Sequence, residues 1–135
     1  MKRWWIAIAA ALATTVPATG LACGACDEDK IAATYDHAVI DAAIARHRQV
    51  VFVAIDGPVD AQRIATRLTA AAAKVHGVQA GTLRTSLAPP AFSFVLDTTQ
   101  TPQAAVAGFR KAVGDFGARL TVIRTMRDSV LQQPN

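Results

Sequence analysis

The sequence lacks several features by which function is usually recognised. Lysine and arginine never form a block, whereas a nucleic-acid-binding surface needs a basic stripe, usually with stacking aromatics. Beyond the first 22 residues no apolar run reaches the roughly 20 residues that a membrane-spanning helix requires. The catalytic motifs G-x-S-x-G, H-E-x-x-H, the P-loop and G-x-G-x-x-G after a strand do not occur. These absences disfavour nucleic-acid binding and identify no enzyme, so we expect a non-enzymatic protein.

Both tryptophans and the longest apolar run lie at the N-terminus. Two basic residues precede an apolar segment from Trp4 to Val16, and small residues follow as far as Ala22. This order of charge, apolar core and small-residue end is typical of a secretory signal peptide. We therefore expect residues 1–22 to be removed, the mature chain to begin at Cys23, and the protein to be periplasmic or otherwise exported.

The predicted mature chain is close to neutral. It has about 113 residues, which suits one domain of ordinary size. Two of the 14 basic residues lie in the leader, so 12 remain against 10 acidic ones, a net charge of about +2. The higher net charge of +4 therefore describes the precursor alone.

The two cysteines form one Cys-x-x-Cys motif, Cys23 to Cys26, directly before the acidic residues 27–29. Two thiolates at a helix start can chelate a soft cation such as copper(I), and they can also close a disulfide or exchange disulfides. In addition, Ala22 before Cys23 suits a lipoprotein peptidase. A thioether at Cys23 would leave one thiol and anchor the protein to the membrane. The sequence leaves the metal site, the disulfide, the redox pair and the lipid anchor open.

Histidines and aspartates supply weaker candidates for a metal site. His37 lies one helical turn before Asp41, which predicts an exposed ion pair and makes His37 the candidate third metal ligand beside the cysteines. His76 is expected to be a helix-end cation rather than a ligand. Asp56 and Asp60 flank a turn and would form only a weak cation site.

The periodicity of apolar residues predicts an α+β fold. The first helix is expected from Asp27 to about His47, with a buried stripe formed by Ile31, Tyr35, Ala38 and Ala42. The elements expected after it are a strand at 49–55, a helix at 61–75, strands at 78–87 and 91–96, a helix at 102–116 and a strand at 119–126.

The last six elements follow the βαββαβ order of ferredoxin-like domains, whose sheet is antiparallel. In that topology the strands from Val50 and Phe92 lie at the centre. Both strands are apolar on both faces, which implies that both faces of the sheet are covered. We expect α-helices 61–75 and 102–116 to cover one face, and the additional N-terminal helix, or else a partner subunit, to cover the other.

The predicted organisation therefore has four parts. They are a signal peptide at 1–22, the Cys-x-x-Cys segment with the N-terminal helix at 23–48, a ferredoxin-like domain at 49–127 and a tail at 128–135.

The segment from Val50 to Arg127 resembles the heavy-metal-associated domain of copper chaperones, mercury-binding periplasmic proteins and metal-transport ATPases. The resemblance rests on the element order, on the phrase Val75-His76-Gly77-Val78 and on a Gly117-Ala118-Arg119 turn before the closing strand. That family carries its Cys-x-x-Cys in the loop after the first strand. Here the loop at 56–60 contains no cysteine, so the family's metal ligands do not carry over.

The leading hypothesis is an exported envelope protein that binds a soft metal ion through Cys23 and Cys26, with His37 or a partner as third ligand. Copper(I) is the favoured ion because thiolates select soft cations, and zinc or mercury(II) are the alternatives. The competing hypothesis is a structural or interaction module of the envelope, tethered by lipid at Cys23. Its only contact with the membrane would be that anchor, and its partner would be another envelope protein.

Overall fold

A computed structural model describes residues 26–58, 60–114, 117–127 and 130–132. The α+β class is confirmed, with helices and strands in the following order. They are α1 (Asp27–Thr34), α2 (His37–Ala45), β1 (Gln49–Asp56), α3 (Ala61–Ala72), β2 (Arg84–Leu87), β3 (Pro90–Leu96), α4 (Pro102–Val113), β4 (Arg119–Arg127) and β5 (Val130–Gln132).

The strands form one antiparallel sheet in the order β2-β3-β1-β4-β5. The strand from Val50 pairs with both neighbours, opposite Val95 on β3 and Met126 on β4. The expected central position of β1 and β3 is therefore confirmed. The sheet has a fifth strand, β5, which lies within the segment that we expected to be a tail. The strand expected at 78–87 is shorter than predicted, since pairing before Arg84 is limited to an isolated bridge.

Helices α3 and α4 pack on one face of the sheet. Each begins with the side-chain cap that its sequence predicts, because Asp60 accepts from the amide of Arg63 and Thr101 accepts from that of Ala104. Beneath them lies the larger core, which contains Phe92, Phe94 and Phe109 in mutual ring contact, with centroids 5.0–5.9 Å apart. The remaining large members of this core are Val51, Val53, Ile55, Ile64, Leu68, Leu96, Val106, Val113 and Leu120.

The other face of the sheet is covered by α1 and α2, so the expected second cover is confirmed. The prediction of one continuous helix from 27 to 47 is wrong. Tyr35 and Asp36 have extended backbone, and the Asp36 carboxylate caps α2 by accepting from the amide of Val39 at 3.2 Å. An aspartate satisfies free amides best at a helix start, so this residue begins a new helix instead of continuing the first.

The break also changes which side chains are buried. Among the residues that we expected to form the buried stripe of the first helix, Ile31 is buried, but the Tyr35 side chain is 46 % exposed. Ala38 and Ala42 are also exposed. The smaller core is formed instead by buried Ile31, Ile40, Ala43, Val50, Phe52 and Val95. The prediction of this buried stripe was wrong because it applied the 3.6-residue spacing of a single helix to residues that belong to two separate helices.

Candidate functional site

Cys26 stands at the N-terminus of α1. It is the N-cap residue, its thiol is free and exposed, and its carbonyl accepts the first helical hydrogen bond, from the amide of Lys30 at 3.2 Å. The Cys26 thiol does not cap the helix and instead donates to Oδ2 of Asp29 at 3.3 Å. Capture of a metal ion by Cys26 would replace this hydrogen bond and release a proton, as thiolate ligation requires.

Three carboxylates lie beside the Cys26 thiol at the start of α1. Asp27, Glu28 and Asp29 form the first turn of the helix, and Asp29 accepts the hydrogen bond from the thiol. Their negative charge attracts a metal cation to this end of the helix.

Helix α1 is fixed to the sheet along its length. Ile31 and Thr34 are buried, and the Ser93 hydroxyl of β3 donates to the carbonyl oxygen of Thr34 at 2.8 Å. Two ion pairs hold the outer part of the helix. Lys30 lies 3.3 Å from Asp56 at the end of β1, and Arg124 of β4 lies 3.4 Å from Glu28. Cys26 therefore belongs to a helix whose position on the sheet is set by contacts with three strands.

The sequence analysis missed these anchoring side chains. Ser93 interrupts an otherwise apolar strand and Arg124 follows two apolar residues, so both were visible as polar residues in strands. Neither could be assigned a partner, because Thr34 and Glu28 are 59 and 96 residues away in the chain.

His37 lies at the start of α2, and its Nε2 is 3.2 Å from Oδ2 of Asp41. Both side chains are largely exposed, so the expected solvated pair is confirmed. The imidazole also stacks on the ring of Tyr35, with centroids 6.4 Å apart. The eight residues of α1 separate Cys26 from α2, and at 1.5 Å per residue that helix is about 12 Å long. The structure therefore does not bring His37 and Cys26 together.

The other expected ligands have structural partners or lie elsewhere. Cys23 lies outside the described residues. The Asp56 carboxylate pairs with Lys30, and that of Asp60 caps α3. His76 follows α3, which ends at Ala72 rather than at the predicted residue 75. Within the described ranges, no three His, Cys, Asp or Glu side chains gather closely enough to hold a metal ion.

One ion pair joins α2 to the edge strand β2 and was not predicted. Nε of Arg84 donates to Oδ2 of Asp36 at 2.8 Å. The Arg84 side-chain hydrogen bond, together with the capping bond from Val39, lowers the pKa of Asp36 below its ordinary value of 3.8. The carboxylate is thereby held in its charged form, as the helix cap requires.

None of the helices in the described part of the chain combines the length and apolar character needed to cross a bilayer. Comparison with known proteins gives no match to a protein-family model, a curated protein or a solved structure. The function has to be argued from the residues of this chain.

Proposed function

We propose that the mature protein is an exported, non-enzymatic protein of the bacterial envelope that binds one soft metal ion, copper(I) by preference, through Cys23 and Cys26. The proposal rests on the signal-peptide pattern at 1–22 and on the position of Cys26 in the fold. Cys26 lies one helical turn before Lys30, and Lys30 contacts Asp56 where β1 ends.

That position is the observation that carries the proposal. The heavy-metal-associated family, which the sequence resembles, holds its Cys-x-x-Cys in the loop after the first strand of the sheet. In this chain the loop has no cysteine, but the Lys30–Asp56 contact ties α1, with Cys26 at its start, to the end of β1. This contact supports the proposal because it connects the helix that begins at Cys26 with the end of the first strand, the end from which the family's metal-binding loop extends.

We also propose that residues 49–127 are a ferredoxin-like domain related to that family. The chain order β1-α3-β2-β3-α4-β4 supports this assignment, as does the packing of α3 and α4 on one face. Strand β5 and the layer formed by α1 and α2 would then be additions to the domain.

Two thiolates give a near-linear site, which copper(I) accepts and zinc does not. A third ligand from this chain is not needed for such a site. His37, which pairs with Asp41 beyond the other end of α1, is better assigned to the protein surface than to the metal. The remaining coordination position would be open to a ligand from a partner protein.

The test is anaerobic titration of the reduced mature protein with copper(I) in competition with a chromogenic chelator. We expect one equivalent to bind, and we expect Cys23→Ser or Cys26→Ser to weaken binding by more than about a hundredfold, because each removes one of two soft ligands. His37→Ala is the matched control and should change the affinity less than about threefold.

Intact mass of the protein isolated from the envelope should be measured first. Two titratable thiols are compatible with the proposal. A diacylglycerol thioether on Cys23 would remove one of the two proposed metal ligands and would instead favour the competing hypothesis, a lipid-anchored interaction module. A Cys26→Ser protein that binds copper(I) as tightly as the parent would also contradict the proposal.

A further inference from the structure

An open groove of about 520 Å³ lies on the α3–α4 layer, on the opposite side of the sheet from Cys26. Its apolar surface is formed by Val75, Ala105 and Gly108 together with neighbouring alanines of α4. Lys74 and Lys111 also line it. The volume falls within the range of about 300–1,000 Å³ that is usual for small-molecule sites.

The groove exists because α3 is short and α4 carries small side chains. Helix α3 ends at Ala72, and the turn that follows it lines the groove with Lys74 and Val75 in place of a further helical turn. Val75 then packs directly on the α4 backbone, where a Cβ at Gly108 would lie 3.0 Å from its Cγ1. Ala104 and Ala112 lie one helical turn on either side of Gly108, and their side chains, which end at Cβ, leave the remaining space open.

Part of the groove lining is tied to the body of the protein by hydrogen bonds. His76 and Gln100 belong to this part of the lining. The buried Gln49 side chain donates to the carbonyl of Gln100 at 2.8 Å, and the amide of Asp97 donates to the carbonyl of Gly77 at 2.9 Å. These hydrogen bonds fix the backbone beside this part of the lining before a ligand arrives, which lowers the entropic cost of binding.

Among the described residues that line the groove, Lys74 and Lys111 supply positive charge and there is no aspartate or glutamate. Helices α3 and α4 and the turn at 73–77 contain basic residues and no carboxylate, with Asp60 and Asp97 flanking them in the chain, whereas α1 and α2 together with the Asp36 cap contain five carboxylates. The basic residues of the α3–α4 layer are Arg63, Arg67, Lys74, Arg110 and Lys111. An anion is therefore favoured at the groove, where two of these lysines lie beside an apolar surface.

We propose that this groove binds a small anionic amphiphile, namely a single alkyl chain that ends in a carboxylate. The alkyl chain lies on Val75 and the small residues of α4, and the carboxylate pairs with Lys74 and Lys111. This inference is independent of the proposed metal site, because none of its residues belongs to α1.

The experiment is calorimetric titration of the mature protein with dodecanoate below its micelle concentration, with dodecanol and a dodecyltrimethylammonium salt as neutral and cationic counterparts. We expect dodecanoate to bind with a stoichiometry of one and to bind more weakly as salt is raised. The neutral and cationic compounds should bind at least about tenfold more weakly, because they make no ion pair.

Two pairs of variants locate the site. Lys74→Gln/Lys111→Gln should weaken dodecanoate binding by about five- to tenfold, whereas Arg46→Gln/Arg63→Gln, which removes the same charge outside the groove, should change it less than about twofold. Ala104→Leu fills the groove and should weaken binding by at least about tenfold. Ala107→Leu, at an exposed position on the same helix that does not line the groove, should leave it unchanged.

The proposal is overturned if dodecanol binds as tightly as dodecanoate, or if Ala104→Leu and Ala107→Leu behave alike. It is equally overturned if no dodecanoate binds, or if the protein binds vesicles rich in phosphatidylglycerol but not the monomeric amphiphile. In the last case the basic layer would be a membrane-binding surface rather than a ligand site. Circular dichroism of each variant separates a lost site from a lost fold.

Discussion

Asp36 serves two elements with one carboxylate. One oxygen caps α2 through the amide of Val39, and the other accepts from Arg84 of β2. Because both contacts need the ionised form, the pKa of Asp36 is lowered, and protonation must cost stability. The contribution of Asp36 is therefore present above its ordinary pKa of 3.8 and is lost as the pH falls through the lower value of the folded state.

We accordingly expect Asp36→Asn to lower the melting temperature at pH 7, and we expect the difference from the wild type to shrink at pH values below 3.8. Thermal unfolding followed by circular dichroism at a series of pH values measures this effect. Asp41→Asn is the control, since that carboxylate is exposed and pairs only with His37 among the contacts described above. If the difference in melting temperature between the wild type and Asp36→Asn did not depend on pH, the proposed link between ionisation of Asp36 and stability would be wrong.

Gln49 shows how a single polar residue can escape sequence analysis. It was predicted correctly as the start of a strand, yet its side chain is buried and donates to the carbonyls of Asp97 and Gln100. Those acceptors lie in the loop before α4, about fifty residues away. The strand pattern at 49–55 contains no information about that loop, so this contact could not be predicted from the sequence.

At the scale of elements, the layer of α1 and α2 depends on a few large side chains. Ile40 of α2 is buried in the smaller core, whereas Tyr35, in the break between the two helices, is half exposed. The burial of Ile40 should therefore contribute more to stability than the larger side chain of Tyr35.

We expect Ile40→Ala to lower the free energy of unfolding by about 2–4 kcal/mol, because it removes a buried aliphatic side chain and leaves a cavity. Tyr35→Ala should cost less than about 1 kcal/mol. Urea denaturation of both variants and the wild type provides the comparison. Equal losses for the two variants would mean that the break between α1 and α2 is wrongly placed.

The elements also differ in how well the sequence predicts them. Strands β1 and β3 were placed within a residue or two because continuous apolar runs with turn residues at their ends are a strong signal. The prediction of a single helix at 27–47 was wrong at Asp36. The preference of aspartate for the N-cap position of a helix outweighed the helical spacing of the apolar residues around it. Helix α3 ends three residues early, where the amides of Lys74 and Val75 both donate to the carbonyl of Ala71, a local hydrogen-bond pattern that the apolar spacing does not predict.

The candidate sites were predictable to a different degree. Cys26 was found because a Cys-x-x-Cys motif is recognisable from spacing alone, and the His37–Asp41 pair followed from one helical turn. The separation of His37 from Cys26 was not predictable, since it depends on where α1 ends. The groove beside α4 was also missed, because small residues on one helix give no sign of what the neighbouring helix leaves uncovered.

For the molecule as a whole, the sheet divides the protein into two layers of different character. Helices α3 and α4 cover the larger core and carry basic residues without a carboxylate, while the α1–α2 layer with its Asp36 cap covers the smaller core and carries five of the ten carboxylates of the chain. The proposed thiol site and the proposed amphiphile groove lie on opposite layers. Occupation of one site therefore leaves the surface of the other accessible.

The division of β1 between the two cores has a consequence for the order in which the protein opens. Val51, Val53 and Ile55 point into the larger core, and Val50 and Phe52 point into the smaller one. Loss of either helical layer removes protection from only one face of this strand, while its backbone stays paired with β3 and β4. The amides of β1 should become accessible to solvent only when the whole fold is lost.

Amide hydrogen exchange followed by NMR tests this consequence. We expect β1 amides to exchange slowest, with an opening free energy equal to that of global unfolding, and α2 amides to exchange through smaller openings. Ile40→Ala should speed exchange in both elements, because it lowers global stability as well as the attachment of α2. Exchange of β1 at the rate of α2 would contradict this prediction, because β1 would then open together with the α1–α2 layer instead of only on global unfolding.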